Sequence, residues 1–508
     1  MLLLSNLRRY SYWLSPFIIV LVVSIPVLSV VYLYDLSKEF EFSNYISSIT
    51  FFSFYQSLLS ALLSIIIGSG FAYLLIKHNY IYGIKFIINS LSILFVLPTI
   101  ITIFGILSFY GKFIQIYGLF GILLGHIILN VPLVTRIIVQ SLKDVSPNER
   151  MLADQMNLNS WGSFLAIEWP VIKKNIPSLF VLVSFICFVS FTPVLILGGS
   201  PKYSTLEVAI YHAVMFVSDF NVAFNLLIIQ FLICGAIYFV FFRNFKSNHF
   251  IIDDQRDYRQ LTSFSSKYII DYLVLILITI FIFSPITFIF IKGINITLLE
   301  VLNSSYFWSA LSTTFIIGCF SGMLSIVLTY GNLVSLNKSK NSFEFWFYIL
   351  VIFSPGVMAV GYYIFLNEVI NFSVPNILIV IIINSIITLP FTYNYLSPSF
   401  FRVSKEHHDI SESINIYGAR RFFVIDWPRL KEPLVTAFCV SSILSASDLV
   451  IISFFGTNDL STLTQTIYRL MGSYKMDEAY AVSLLLLIYC FIYFMISYKL
   501  ILRRWNTQ

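Results

Sequence analysis

Long apolar runs separated by short polar stretches dominate the 508-residue chain. Twelve of them lie near positions 13–34, 52–76, 86–109, 121–142, 177–197, 222–242, 268–291, 310–333, 345–366, 374–397, 434–455 and 481–501. A helix that crosses the hydrocarbon layer of a bilayer needs about 20 residues, and each run is of that order. The pattern predicts an all-α polytopic membrane protein with twelve transmembrane helices. The first run follows Arg8 and Arg9. It exceeds the apolar core of a secretory leader and lacks a small-x-small cleavage site, which predicts a retained helix.

Composition narrows the class. Hydrophobic residues make up 58% of the chain and charged residues 11%, where soluble domains carry roughly a quarter. So little polar material cannot cover a soluble fold, which excludes a soluble enzyme or binding module. The net charge is +6, and its placement says more than its sum. With the N-terminus inside, 25 of the 31 Lys and Arg residues fall on the cytoplasmic side of the twelve-helix array. Only Lys38, Lys112, Lys202, Lys292, Arg469 and Lys475 remain outside. Both termini are therefore expected in the cytoplasm. Cys187, Cys234, Cys319, Cys439 and Cys490 all sit inside apolar runs without CxxC spacing and read as small packing residues.

The two halves repeat. Phe164, Ile167, Trp169 and Pro170 in FLAIEWP recur 258 positions later as Phe422, Ile425, Trp427 and Pro428 in FFVIDWP. TLEVAIY at 205–211 matches TLTQTIY at 462–468, Pro132 matches Pro390, and Asp219 matches Asp477. So constant an offset implies two copies of one unit. Six helices per copy is an even number, so the copies share one orientation across the membrane. The expected organisation is a first repeat at 1–242, a cytoplasmic linker at 243–267 and a second repeat at 268–508. A facilitator-type carrier would place its longest cytoplasmic segment between helices 6 and 7. Here the longest cytoplasmic loops are instead 143–176 and 398–433, and these carry the repeated motif.

In the first loop a short helix is expected from Glu149 to Met156, a polar break at Asn157–Ser160, and a second short segment that stops at Pro170. The second loop has its break near Asn415–Gly418 and its second segment ahead of Pro428. Two readings fit the aromatics of both loops: a lid folded under the bundle, or short helices presented to a cytosolic partner.

At these residues the sequence resembles the membrane subunits of type I ABC importers, whose EAA loops these two segments match. The resemblance covers the whole chain as two fused permease halves. The EWP and DWP endings, LGGSPKYSTLE and FFGTNDLSTL narrow it to the thiamine and thiamine pyrophosphate importer permeases. The family's Glu-Ala-Ala slot is Met151-Leu152-Ala153 in one loop and Asp409-Ile410-Ser411 in the other. Its turn glycine is Asn157 and Asn415, and Asn is the side chain that best tolerates a left-handed backbone.

The resemblance implies a MetI-like fold, a bacterial inner-membrane location, a cytosolic ABC ATPase homodimer and a periplasmic thiamine-binding protein docked on outer loops 198–221 and 456–479. It assigns ATPase coupling to Asn157, Leu158, Trp161, Phe164, Ile167, Pro170, Asn415, Tyr417, Gly418, Phe422, Ile425 and Pro428. The rings at 161, 164, 422 and 423 are expected to be buried at the joint.

No nucleotide-cradling loop occurs: Gly105 and Gly111-Lys112 are separated by five residues, and Phe113 follows the lysine. The chain is thus expected to be a non-enzymatic permease without a cofactor of its own, ATP and Mg being held by the partner. Asp448 is expected about fourteen residues into the eleventh helix. A carboxylate at that depth suggests a translocation path, with an interhelical hydrogen bond or a helix end as the other reading. His126 and Arg136 are lesser candidates, Arg136 as a side chain that snorkels to the inner surface, and His212 is expected in a solvated loop. Two alternatives stay open: a ferric-iron importer permease of the same architecture, and an ATP-independent secondary carrier.

Overall fold

The computed structural model describes residues 14–33, 43–156, 158–199, 201–244, 268–339, 353–370, 375–413, 416, 418–457 and 460–505, and the regular elements among them are all helical. In chain order the elements used below are α1 (Leu14–Leu33), α2 (Asn44–Lys77), α3 (Thr99–Tyr110), α4 (Leu119–Lys143), α5 (Trp169–Phe188), α6 (Thr192–Leu197), α7 (Phe220–Asn244) and α8 (Ile269–Gly293). They continue with α9 (Ser305–Ser339), α10 (Pro355–Ile364), α11 (Asn376–Ile387), α12 (Leu389–Ser413), α13 (Trp427–Ala446), α14 (Val450–Phe455) and α15 (Met476–Trp505).

Among the described residues, seven helices are long and apolar enough to cross a membrane. The bent pair Asn376–Ile387 and Leu389–His407, which turns by 48°, would make an eighth. Several expected runs are cut where the backbone chemistry demands it. The run at 86–109 is divided at Pro98, which has no N–H to continue a helix. The run at 374–397 bends at Thr388, two residues before Pro390. The runs at 177–197 and 434–455 each break, at residues 189–191 and 447–449. The start of the run at 345–366, and the linker from residue 245 onward, lie outside the described residues.

The chain packs as two compact units. The first comprises Phe42–Ala209 and Phe239–Ile291. Its core brings together Ile65, Phe71 and Leu75 of α2, Val131, Val134 and Ile138 of α4, and Leu179 and Val183 of α5. Leu275 and Ile282 of α8 complete it. The second unit comprises Met1–Glu41, Ile210–Tyr238 and Lys292–Gln508. There α9 lies against α12, α13 and α1, and α1 against α10. The packing units therefore divide the chain differently from the sequence repeat: α8 belongs with residues 42–209, and α1 with residues 292–508.

The same device holds both of these helices. Each carries an internal proline, Pro26 in α1 and Pro285 in α8. A proline removes one helical N–H and leaves the carbonyl four residues back without its donor. In hydrocarbon no water can replace it. The Tyr362 hydroxyl donates to the orphaned Val22 carbonyl at 2.8 Å, and the Tyr110 hydroxyl to that of Phe281 at 3.1 Å. A glycine faces each proline at backbone contact. A Cβ on Gly105 would lie 2.5 Å from the Pro285 carbonyl oxygen, and Gly361 has no room for one against Pro26. Ser29 Oγ adds a 2.7 Å bond to the Gly361 carbonyl.

The N-terminal end of α8 is pinned by charge. Asp271 accepts from Lys77 Nζ at 2.8 Å and lies 3.1 Å from His78 Nε2, and the Tyr80 and Tyr272 hydroxyls meet at 2.6 Å. Burial pushes His78 below the ordinary imidazole range, and the Asp271 carboxylate opposes that shift.

Candidate coupling loops and helix breaks

Each long loop is the end of a helix, a break, one helical turn, and then a wide turn that runs straight into a long helix. In the first loop, Pro147–Gln155 is followed by Ser160–Ser163, the π-helical turn Phe164–Glu168 and α5. In the second, α12 runs on to Ser413, and Gly418–Arg421 leads through the π-helical turn Phe422–Asp426 into α13. The helices thus do not stop at Pro170 and Pro428, as the sequence suggested. The wide turns explain why: the Trp169 N–H reaches back five residues to Phe164 O, and the Trp427 N–H to Phe422 O. The register shift frees a carbonyl at the point where a proline supplies no donor, so the proline sits at the start of the next helix instead of ending the chain of turns.

The wide turn also sorts the side chains. Ile167 and Ile425 turn inward, each 7% exposed, and Ile167 packs with Val145 and Ala153. Phe164 is half-buried, its ring edge-on to Tyr73 of α2 at 4.8 Å. Phe422 meets Tyr330 of α9 in the same way at 4.9 Å. Trp161 stacks on Phe164 at 5.3 Å yet is 66% exposed, and Phe423 is 68% exposed. Of the four rings, 164 and 422 face inward within the permease and 161 and 423 face outward, as do Leu158, Pro170 and Pro428. Asn157, Asn415 and Tyr417 lie outside the described residues. Gly418 holds the left-handed backbone position of the second loop, with φ of +60°.

Beneath each wide turn sits a carboxylate. Glu168 is 7% exposed. Asp426 is 2% exposed; its Oδ2 accepts from the Tyr330 hydroxyl at 2.5 Å and lies 3.6 Å from Arg421 Nε. Burial pushes Asp426 above the ordinary carboxylate range, against the opposing pull of Tyr330 and Arg421. Arg421 Nη2 in turn donates to Ser404 Oγ of α12 at 3.2 Å, and Asn337 of α9 donates to the same oxygen at 2.7 Å.

Asp448 does not lie within a helix. The preceding helix ends at Ala446, and the carboxylate caps α14 by accepting from the N–H groups of Val450 (3.1 Å), Ile451 (3.0 Å) and Ile452 (3.4 Å). In the first unit, Ser190 occupies the break between α5 and α6, 2.8 Å from His126 Nε2. Ser190 Oγ donates to the Cys187 carbonyl at 2.9 Å. Ser60 Oγ lies 3.0 Å from the other ring nitrogen, Nδ1. Arg136 is partly buried in α4. His212 ends the helix Leu206–His212, its ring 5.1 Å from Phe216, and is not a solvated loop residue.

No family model matches the sequence. The thiamine transport system permease protein ThiP of Haemophilus influenzae is 31% identical over 476 residues, covering 89% of this chain and 88% of that protein. Those of Escherichia coli and Brucella abortus are 29% and 27% identical over about 90% of the chain. The chain belongs to the thiamine transport system permeases. As a member of that family it is a membrane permease subunit of a transporter, and the ferric-iron alternative has no support.

For a thiamine permease of this kind, reasoning from the sequence found the loops but missed what lies under them. Glu168 and Asp426 were in view as the acids of EWP and DWP, and their recurrence at a fixed offset was the available signal. Tyr73, Tyr330 and Arg421 gave no such signal. The two tyrosines meet residues 91 to 96 positions away, and Arg421 reaches its partners through a turn whose shape the sequence did not reveal.

Proposed function

We propose that this permease moves thiamine or its phosphates from a periplasmic binding protein into the cytoplasm, driven by a cytosolic ABC ATPase homodimer. The observation that carries the reading is the 31% identity to a thiamine permease over nearly the whole chain. The two loops of matching shape, each with outward-facing rings above an inward-facing phenylalanine, support the ATPase coupling. In this reading the chain crosses the inner membrane twelve times as two parallel six-helix repeats of the type I fold, with both termini in the cytoplasm. ATP and Mg are bound by the partner, and loops 198–221 and 456–479 receive the binding protein.

Closure of the ATPase would draw the docked loops together and swing the permease from inward-open to outward-open. Moving such an equilibrium from about 1:99 to 99:1 takes about 5.5 kcal/mol of preference for one state. Asp448 is placed on the translocation path. Helix breaks at membrane depth are tolerated only where the backbone is buried in protein or lines a cavity, and a carboxylate there suits a cationic thiazolium ring.

Reconstitution in proteoliposomes with the cognate ATPase and binding protein tests the reading. Thiamine-dependent ATP hydrolysis with thiamine uptake is expected. Uptake driven by a proton or sodium gradient without ATP would overturn it.

A further inference from the structure

The loops must pass force to the long helices, and aromatic contact alone is a poor grip. A phenylalanine edge against a tyrosine ring can slide, because dispersion has little directionality. A buried carboxylate cannot move from its partners without leaving an unsatisfied charge. Both loops bury one at the same place, the last residue of the wide turn, immediately ahead of Trp-Pro. Wide turns of this kind are rare and collect at functional sites.

We propose that Asp426, held by the Tyr330 hydroxyl, is a positioning residue that clamps the second coupling loop to the long helix beneath it, so that displacement of the loop becomes displacement of the helix. The inference rests on the coupling role given to the loops above. Around Asp426 the clamp reaches two helices. Tyr330 ties the turn to α9 at 2.5 Å, and Arg421, 3.6 Å from the same carboxylate oxygen, reaches Ser404 of α12. Asn337 closes the circuit by joining Ser404 back to α9 at 2.7 Å. The first loop buries an acid, Glu168, at the corresponding position.

The test uses the full transporter, permease with ATPase and binding protein in proteoliposomes, with Asp426→Ala, Asp426→Asn and Tyr330→Phe. Three quantities are read: ATPase retained on purification, ATP hydrolysis with and without thiamine-loaded binding protein, and thiamine taken up per ATP hydrolysed. Asp426→Ala and Tyr330→Phe are expected to keep the ATPase bound yet lower uptake per ATP about tenfold. Asp426→Asn, which still accepts from Tyr330, is expected to recover most of it.

Unchanged uptake per ATP in Asp426→Ala and Tyr330→Phe overturns the proposal. So does loss of ATPase binding in proportion to transport, which would make the acid part of the docking surface. Equal failure of Asn and Ala at 426 overturns it as well. Tyr330→Phe removes a single oxygen and keeps the test open if Asp426→Ala does not fold. A wild-type chain that retains no ATPase would refute the importer reading itself, and this is seen before any variant is made.

Discussion

The hydroxyl of Tyr362 should matter only because residue 26 is a proline. Tyr362→Phe deletes one oxygen from a side chain that is 7% exposed and donates to the Val22 carbonyl at 2.8 Å. Pro26 supplies no N–H to that carbonyl, so in the variant it has no donor and no water to replace one. Leaving such a group unsatisfied costs about 1–3 kcal/mol, or roughly a 5- to 150-fold shift in the unfolding equilibrium. The assay is unfolding of the purified permease from mild detergent by titration with a denaturing one, followed by tryptophan fluorescence. The decisive arm is a double-mutant cycle with Pro26→Ala. Alanine restores the helical N–H to Val22, so Tyr362→Phe should lose most of its effect in that background, with a coupling of about 1 kcal/mol or more. Equal losses in the presence and absence of the proline would refute the reasoning. At the other site Ser284 Oγ stands 3.4 Å from the Phe281 carbonyl and can take over, so Tyr110→Phe should cost about half as much.

The remaining predictions concern the loops, the break and pH. Phe164→Ala or Phe422→Ala removes the ring wedged against Tyr73 or Tyr330 and should weaken ATPase association, measured by co-purification and by stimulation of hydrolysis. Asp448→Asn keeps an oxygen for capping α14, so the permease should fold normally while thiamine uptake falls. Wild-type uptake by that variant would mean that the charge is not needed. His78 is held below its unfolded value, about 6.5, by burial. The unfolded chain therefore binds the extra proton first, and stability should decline as pH falls through about 6.5. His78→Gln should flatten that part of the pH profile of the unfolding midpoint.

The apolar runs made the chain a membrane protein. The recurrent acid-Trp-Pro segments located both loops and, with the segments around them, carried the family resemblance. These features are local: hydropathy is a sum over neighbours in sequence, and a motif is a string.

What escaped was everything that depends on which helix lies beside which. Lipid tails are as apolar as leucine, so a helix that faces lipid and one buried among helices read alike. Nothing in the run at 268–291 says that Leu275 and Ile282 pack on α2, α4 and α5, or that Pro285 meets Gly105. Pro132 passes through a continuous α4, while Pro390 follows a bend. Asp448 looked like a charge deep in a helix and proved to be the cap of a new one. The sequence by itself determined the solvent and the loops. Only the tertiary structure decided where helices break, which half each outer helix joins, and that Asp426 finds a tyrosine 96 residues away, since those outcomes rest on hydrogen bonds closed between segments far apart in the chain.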